Sequence, residues 1–472
     1  MRKLLATLVP LVLPMGGAMA AETPLRADQQ AYRALYKEFV ETDTSITTGS
    51  CTALADKIEG HLRGAGFTDA EIHRFTVPEF PKEGGIVVIL PGSSKTTRPI
   101  LLLGHLDVVV AKREDWTRDP YTFIEEGGYF YGRGVADMKA MDAIWTDMFM
   151  RWRKAGKVPK RTLKLALTCG EETSTAFNGA KWLSQNRREL IDAEFALNEG
   201  GAGRTDKPLE DGGRVVVHTM HVGEKTPVNY RIEATNPGGH SSAPVKDNAI
   251  YDLSDALARL RDFDFPLMLN DTTRAYFIKA GAARGDAMGK AMVAIVANPA
   301  DKAAEAVVNT DRTFHSMLRT TCVATLLDGG HANNALPQRA GANVNCRIFP
   351  GISAEDVRKT LETVIADPTM TVLRTDNRGP DAKAPPLNPK ILGPAEKLVE
   401  KYYPGVPMVP MMSTGATDGV FLSAVGIPSY GPPGLFSNPD GNGTHGLNER
   451  IAVSAVYTGR DLLTDLVTAY AF

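Results

Sequence analysis

The chain has 472 residues, 43% of them hydrophobic and 23% charged, an ordinary globular composition with enough material for two or three domains. Its formal net charge is −2, so no surplus of basic residues indicates binding to nucleic acid. Beyond the first twenty residues, no stretch is long and apolar enough to predict a membrane span.

The first twenty residues have the pattern of a cleavable signal peptide. Two basic residues precede an apolar run from Leu4 to Leu13, and residues 18–20 (Ala-Met-Ala) have the small-x-small form of a cleavage site. We therefore expect a mature protein that begins near residue 21 and is exported to the periplasm or secreted.

An exported protein can form disulfides, and the chain has four cysteines, spaced too widely for a zinc finger. They are Cys51, Cys169, Cys322 and Cys346. The last two lie on strand-like runs that flank one loop, so they could face each other. Buried free thiols are the alternative, and the sequence leaves the pairing open.

Apolar strand patterns alternate with helical patterns through the first half of the chain. Helices are predicted at Ala27–Val40, Ser50–Gly64, Ala140–Lys154 and Ala176–Glu189, and strands at Gly85–Leu90, Pro99–Leu103, Leu163–Thr168 and Ala193–Leu197. This alternation indicates an α/β fold in which helices cover both faces of a mostly parallel sheet.

Three of these strands end in side chains that bind metals. The first runs into His105 and Asp107, the second into Glu171 and Glu172, and the third into Glu199. Ligands of open α/β sheets bind beyond the carboxyl ends of the strands, so we expect these residues to lie close together. Each has an alternative: His105 could be an ordinary buried histidine, Glu171 and Glu172 could complement the dipole of the next helix, and Glu199 could be a solvated loop residue. Several such coincidences at one edge are improbable.

In the second half of the chain, the alternation of strands and helices is interrupted by a different domain and then resumes. Residues 223–377 follow the order strand-helix-strand-strand-helix-strand of a ferredoxin-like domain. An insertion at about residues 270–319 interrupts it, and its residues indicate no role. After a Pro-rich linker at residues 377–389, a helix is predicted at Pro394–Tyr402. We therefore predict one catalytic domain made of residues 21–222 and 378–472, with the ferredoxin-like domain inserted between them.

Two more candidate ligands lie outside the strand ends: Asp137 follows a Gly-Arg-Gly turn, and His445 lies in a Gly-rich loop near the end of the chain. Together the candidates suffice for two divalent cations, with one shared carboxylate and one imidazole on each cation. The predicted ligands are His105, Asp137, Glu172, Glu199 and His445, with Asp137 bridging. This mixture of imidazoles and carboxylates favours zinc, with cobalt or manganese as substitutes.

Two cations about 3.5–4 Å apart can activate a water and clamp a tetrahedral intermediate. Glu171, which is not used as a ligand, is placed to act as the general base, and Asp107 to hold the ring of His105. The predicted reaction is therefore the hydrolysis of an amide or peptide bond. The chain contains no Gly-x-Ser-x-Gly motif of a serine hydrolase, phosphate loop or complete dinucleotide fingerprint.

Several motifs, taken in chain order, resemble the dinuclear zinc peptidase family of glutamate carboxypeptidase, aminoacylase and succinyl-diaminopimelate desuccinylase. They are Gly-His-Leu-Asp-Val-Val, Gly-Arg-Gly-Val-Ala-Asp-Met-Lys, Glu-Glu-Thr, Asn-Glu-Gly-Gly, Gly-Gly-His-Ser-Ser-Ala-Pro and Gly-Thr-His-Gly. The resemblance covers nearly the whole mature chain. It implies the same five ligands and the same base, Glu171. Glu in place of Asp at position 199 is typical of the carboxypeptidase and acylase branch.

The resemblance also implies roles for the ferredoxin-like domain as a lid and a dimerisation domain. His240 would reach the site of a partner subunit and stabilise the oxyanion. Asn334 and Arg347 would bind the substrate, Arg347 through a carboxylate, and Gly415 is a further expected substrate-binding position. A bidentate contact between arginine and a carboxylate gives a physical reason for the role of Arg347.

We therefore expect an exported, dimeric, zinc-dependent exopeptidase that removes the C-terminal amino acid from peptides. The nearest alternative is an N-acyl amino acid amidohydrolase, which needs the same catalytic residues and the same carboxylate contact. A non-catalytic zinc-binding protein is the remote alternative, since such a protein is expected to lack the base or a ligand and this chain lacks neither.

Overall fold

The computed structural model of the protein describes residues 24–173, 177–375 and 383–472. The predicted signal peptide lies outside these described residues. Within them, no helix is both long enough and apolar enough to cross a membrane.

The first part of the catalytic domain contributes most of a large central sheet. Its helices are α1 (Ala27–Glu41), α2 (Cys51–Gly64), α3 (Lys139–Lys154), α4 (Gly179–Asn186) and α5 (Arg188–Ile191). Its strands are β1 (Ile72–Val77), β2 (Phe80–Leu90), β3 (Ile100–His105), β4 (Ile124–Glu126), β5 (Tyr129–Tyr131), β6 (Leu163–Thr168), β7 (Phe195–Leu197), β8 (Gly203–Thr205) and β9 (Val215–Glu224).

The predicted helix at Ala176–Glu189 is the main difference in this part of the chain. Asn178 has an extended backbone and accepts a hydrogen bond from the Lys181 amide, so it is the N-cap of α4. The helix ends at Asn186, because the backbone of the C-cap residue Arg187 leaves the helical region, and the short helix α5 follows. A polar cap and a local break therefore divide a segment whose hydrophobic spacing predicts one helix.

The ferredoxin-like domain, called the lid below, has a four-stranded antiparallel sheet, a separate two-stranded sheet and two helices. Its elements are β10 (Thr226–Thr235), β11 (Gly239–His240), α6 (Ala249–Arg261), β12 (Thr321–Gly329), β13 (Ala335–Leu336), β14 (Arg339–Ile348), α11 (Ala354–Ile365) and β15 (Thr371–Arg374). The strand order β12-β14-β10-β15 is that of a ferredoxin-like sheet. Helices α6 and α11 cover one face with a continuous apolar core, and the other face carries polar side chains such as Asn229, Asn343 and Asn345.

The insertion folds into four helices with an apolar core of its own. They are α7 (Asp271–Arg284), α8 (Ala287–Ala297), α9 (Lys302–Val308) and α10 (Arg312–Met317). In the sequence the insertion lies within the lid, but in the structure it packs against the catalytic domain. Met411 lies against its core, and Lys279 makes an ion pair with Glu396 at 2.9 Å. No pattern in the sequence indicates this docking.

The last part of the chain completes the catalytic domain. Its elements are α12 (Pro389–Tyr402), β16 (Met408–Ser413), α13 (Gly419–Ala424), β17 (Ser429–Gly431), β18 (Phe436–Ser437), β19 (Arg450–Ala452) and α14 (Val453–Ala471). Helix α12 begins at Pro389, five residues before the predicted start, and Pro394 lies inside it. Because proline favours the first turn of a helix, the sequence pattern places the start too late.

The central sheet has the order β1-β2-β6-β3-β7-β17-β9-β8-β18, with β16 paired to β9. β6, β3, β7 and β17 are mutually parallel, and every residue of β3 and β6 is buried. Alternate residues of β3 enter two apolar cores on opposite faces, Leu102 on one side and Leu103 on the other. The predicted α/β class, with helices on both faces of a mostly parallel sheet, is confirmed.

Both pairs of cysteines form disulfides. Cys322 and Cys346 lie directly opposite each other on β12 and β14, and their sulfurs are bonded. Cys51 at the start of α2 is bonded to Cys169 directly after β6. The second disulfide ties a surface helix to the loop that carries Glu171.

Candidate metal centre

Three neighbouring strands bring the predicted ligands to one edge of the central sheet. β3 ends at His105, β6 ends shortly before Glu171 and Glu172, and β7 ends two residues before Glu199. β3 lies between β6 and β7 and is parallel to both, so the three carboxyl ends are adjacent. The fully buried strands therefore position polar residues that follow them in the sequence.

Asp137 joins two groups of potential ligand atoms. Its Oδ1 lies 3.2 Å from His105 Nε2, which is 3.8 Å from Glu199 Oε2. Its Oδ2 lies 3.1 Å from His445 Nε2, which is 2.9 Å from Glu172 Oε1. Within each group the donor atoms lie within 4.8 Å of one another. All five predicted ligands are thus together, and Asp137 is shared as the bridging role requires.

The loop that carries Asp137 is fixed by a buried carboxylate. Glu449 Oε1 accepts hydrogen bonds from the amides of Ala136 at 2.8 Å and Asp137 at 3.1 Å. Its Oε2 accepts from the Gly134 amide and from the Arg133 guanidinium. Glu449 is fully buried, and this pairing compensates its burial. It holds the bridging residue in place through the backbone.

A tight turn aims Glu171 and Glu172 at the same site. Gly170 has a φ of +95°, and a Cβ built there would lie 1.8 Å from the Phe177 carbonyl oxygen, so only glycine fits. The amides of Glu171 and Glu172 donate to the two carboxylate oxygens of Asp107, at 3.3 and 2.9 Å. The turn allows two adjacent side chains to serve one site, which a regular strand does not.

The contact between Asp107 and His105 differs in detail from the prediction. His105 Nδ1 lies 3.0 Å from the backbone carbonyl oxygen of Asp107 and 3.8 Å from its carboxylate. Because that carbonyl accepts from Nδ1–H, Nε2 is the ring nitrogen that faces the candidate ligand atoms of Asp137 and Glu199. Asp107 therefore contacts the ring through its backbone, while its carboxylate supports the loop of Glu171.

The charges at this edge of the sheet favour the binding of cations. Burial and the nearby charge of Glu199 raise the pKa of Glu171 well above its usual range, and burial also raises the pKa of Glu199. Burial opposes protonation of His105, but the carboxylates of Glu199 and Asp137 outweigh it and raise its pKa. Hydrogen bonds to Asp137 and Glu172 raise the pKa of His445 to about 10.

Carboxylates thus outnumber imidazoles in a largely buried cluster, which is costly without counter-charge. Two divalent cations would supply that charge, and the donor set of imidazole nitrogens and carboxylate oxygens suits zinc. The residues present fit a dinuclear metal site.

The predicted lid residues lie apart from the contacts described above. His240 is exposed on β11, paired with Ala335 of β13, and its Nδ1 accepts hydrogen bonds from Ser242. The adjoining residue Asn334 is also exposed. Arg347 is half-buried on β14, and its guanidinium has no hydrogen bond or ion pair within the described part of the chain. Burial lowers its pKa.

Gly415 lies in the loop after β16, where its amide donates to Ser413 Oγ at 3.0 Å. In the same loop, Thr417 donates its amide to Glu224 Oε2 at 2.9 Å, and its hydroxyl accepts from Asn198 at 3.0 Å. This loop therefore connects the end of β9, where the chain enters the lid, with the residue before Glu199.

The sequence interpretation assigned no role to the residues that support the ligands. Glu449, Asn178 and Asp418 are the clearest cases, and each acts through contacts across hundreds of residues or through backbone groups. Glu449 follows His445 in a polar cluster, and Asp418 ends the polar run after β16. These clusters were the available signals, but they do not indicate which backbone amides the side chains bind.

The fold and the site are typical of a hydrolase with two adjacent groups of candidate metal ligands. Comparison with known proteins agrees with this class. The model of the Peptidase family M20/M25/M40 matches residues 101–469, and the chain belongs to this family. It is a hydrolase that acts on peptide or amide bonds.

Two relatives and one solved structure illustrate the similarity. The chain is 28% identical to human N-fatty-acyl-amino acid synthase/hydrolase PM20D1 over 406 residues, covering 83% of this chain and 78% of that protein. It is 25% identical to rat aminoacylase-1A, covering 82% and 84%. The structure of an M20 family metallo-carboxypeptidase from Sulfolobus solfataricus aligns with a TM-score of 0.67 at 17% identity, covering 94% and 99%.

Proposed function

We propose that the protein is a zinc-dependent exopeptidase that removes the C-terminal amino acid from peptides. The observation that carries the proposal is the shared Asp137, whose two oxygens lie 3.2 and 3.1 Å from imidazoles of two separate ligand groups. Glu171 lies beside them, with its ligand atom within 4.8 Å of those of His105 and Glu172.

Two bound zinc ions would supply Lewis acidity to the scissile carbonyl and to the attacking water. Cobalt or manganese would serve as substitutes. The protein's own part begins with Glu171, a half-buried carboxylate that takes a proton from the water and passes it to the leaving amine. Asp107 and the Gly170 turn hold Glu171 in place for both transfers.

Arg347 supports specificity for a free carboxylate. Its guanidinium is half-buried and unpaired among the described residues, and a substrate carboxylate would satisfy it with two parallel hydrogen bonds. Asn334 and Gly415 would complete the substrate contacts. An amide bond next to a free carboxylate is common to C-terminal peptide bonds and to N-acyl amino acids.

The second candidate function is therefore the hydrolysis of N-acyl amino acids. The identities with PM20D1 and aminoacylase-1A favour it, since the names of both relatives refer to acyl amino acid chemistry. The catalytic residues would be the same, and the difference would lie in the part of the site that receives the acyl group.

Hydrolysis of matched substrate panels tests the proposal. N-blocked dipeptides are compared with short-chain and long-chain N-acyl amino acids, with metal content measured on the same sample. Two metals per chain and preference for the peptides support the exopeptidase. Preference for N-acyl amino acids supports the second candidate function instead. Absence of turnover on both panels contradicts both candidate functions.

We also propose that the protein is a homodimer that pairs through the lid. β12 is an edge strand whose side chains Val323, Leu326 and Leu327 are 62%, 70% and 71% exposed. An exposed apolar edge strand favours pairing with another chain. In such a dimer, the exposed His240 would reach the partner's site and stabilise the oxyanion. The molar mass in solution, before and after Leu326→Lys, tests the pairing.

Export remains a proposal that rests on the predicted signal peptide. The two disulfides support it, because disulfides persist in oxidising compartments and are rare in the cytosol. Cell fractionation of the tagged full-length protein, with mass determination of the mature N-terminus, tests the compartment and the cleavage site.

A further inference from the structure

The peptide group between Gly170 and Glu171 is hydrogen-bonded at both ends. Its carbonyl oxygen accepts from Asn178 Nδ2 at 3.0 Å, and its amide donates to Asp107 Oδ1 at 3.3 Å. Because a peptide group is planar, contacts at both ends fix the orientation of its plane. The direction in which the Glu171 side chain leaves the backbone is thereby fixed as well.

Asn178 uses every hydrogen-bonding group of its side chain. Nδ2 donates to the Gly170 carbonyl and to Asp418 Oδ1, the latter at 2.6 Å, while Oδ1 accepts from the Lys181 amide at 2.8 Å. A side-chain amide offers two donor hydrogens and one acceptor oxygen, and all are engaged. The N-cap bond to α4 and the bond to the loop of Glu171 therefore come from one residue.

Asp418 determines which way this amide points. It is buried, with 3% of its surface exposed, and it lies directly before α13. Its Oδ1 accepts one hydrogen of Asn178, and its Oδ2 lies 3.3 Å from Thr168 Oγ1 at the end of β6. A carboxylate accepts hydrogen bonds only, so it selects the nitrogen of Asn178 and not the oxygen.

We propose that Asn178 is a positioning residue for the general base, and that Asp418 fixes the orientation of its amide. The proposal rests on the proposed function, because it assigns the support of Glu171 in that reaction. Among the described residues, the side chain of Asn178 bonds to Gly170, Asp418 and Lys181, and none of these is a candidate metal ligand. Substitution of Asn178 should therefore lower kcat, with little effect on metal content or KM.

Asn178→Ser separates the two roles of the residue. Serine is an equally good N-cap, so α4 keeps its cap, but the short hydroxyl cannot replace the bonds to Gly170 and Asp418. We expect kcat to fall about ten- to a hundredfold, since displacement of a catalytic group by about 1 Å has effects of that size. KM, two bound metals per chain and the melting temperature should stay close to wild type.

Asn388→Ser is the matched control. Asn388 caps α12 by accepting from the Lys390 amide at 3.0 Å. This variant should keep the wild-type kcat. If Asn178→Ser also keeps it, or loses activity only in proportion to lost metal or lost folded protein, the positioning role is wrong.

Asp418 provides a second test that leaves the helix cap intact. Asp418→Ala removes the acceptor for Asn178 and should lower kcat, whereas Asp418→Asn keeps an oxygen acceptor and should recover most of the loss. Equal impairment of both variants would show that the charge of Asp418 matters and not its bond to Asn178, which overturns the proposal.

The wild-type protein separates this inference from the proposed function. If wild type hydrolyses neither substrate panel, the proposed function fails first. If wild type is active and Asn178→Ser is equally active, the proposed function stands and the positioning role fails.

Discussion

The candidate metal site at the edge of the central sheet and the lid differ in one respect. The functional groups of the first have hydrogen-bond partners within the chain, and those of the second mostly do not. At the sheet edge, the backbone amides of Asp137, Glu171 and Glu172 donate hydrogen bonds to buried carboxylates. In the lid, His240 and Asn334 are exposed and Arg347 is unpaired among the described residues. One chain thus assembles the candidate metal site by itself, whereas the roles proposed for the lid residues require a substrate or a second chain.

The largest effect on activity should come from substitution of the proposed general base, Glu171. Glu171→Gln keeps the shape of the side chain but cannot take a proton, so kcat should fall at least about 10²- to 10⁴-fold with both metals retained. Glu172→Gln, which alters a ligand, should instead lose metal. Kinetics and metal analysis on the same samples distinguish the two variants, and substantial turnover by Glu171→Gln would remove Glu171 from the base role.

In the proposed dimer, the lid of one subunit should place His240 at the active site of the other subunit. His240→Ala should lower kcat about 10²- to 10³-fold, the usual effect of losing an oxyanion donor. Mixing His240→Ala chains with Glu171→Gln chains gives heterodimers with one intact site. Random pairing should restore about a quarter of wild-type activity. If the mixture is no more active than its two components, His240 does not act across subunits.

Arg347→Ala should raise KM about ten- to a hundredfold for substrates with a free carboxylate, because one bidentate contact is lost. Arg347→Lys should recover only part of this effect, since lysine cannot form the bidentate pair. Arg339→Ala, an exposed position on the same strand, is the control. Equal effects on amidated and free-acid substrates would show that Arg347 does not bind the carboxylate.

The smallest effect concerns the stability of the catalytic domain in acid. His218 is fully buried against Tyr403, its ring nitrogens have no hydrogen-bond partner among the described residues, and burial lowers its pKa to about 4. The unfolded chain, with a histidine pKa near 6.5, binds the proton first. The free energy of unfolding should therefore decrease by up to about 3 kcal/mol between pH 6.5 and 4.

His218→Phe should flatten this dependence, because phenylalanine keeps the ring contact without the proton. Denaturant unfolding at pH 7 and pH 4 measures the difference, with the exposed His331→Gln as control. An unchanged slope in His218→Phe would assign the acid sensitivity to other groups.

The clustering of the candidate ligands could be predicted from the sequence because each follows an apolar strand or a Gly-rich turn, and parallel strands place their ends together. Glu449, Asn178 and Asp418 could not be assigned in this way. Asp418 bonds to Asn178 across 240 positions, and no local pattern encodes that contact. The docking of the insertion on Met411 likewise depends on surfaces that meet only in the folded chain.

The disulfide between Cys51 and Cys169 has a practical consequence for anyone who prepares this enzyme. Cys169 directly precedes Gly170, so the bond is one of the anchors of the loop that carries Glu171. In protein made in a reducing cytoplasm we expect this bond to be open, so that the loop of Glu171 lacks that anchor. The choice of expression compartment, and of reductant in the assay buffer, thus becomes a variable in every rate measured on this protein.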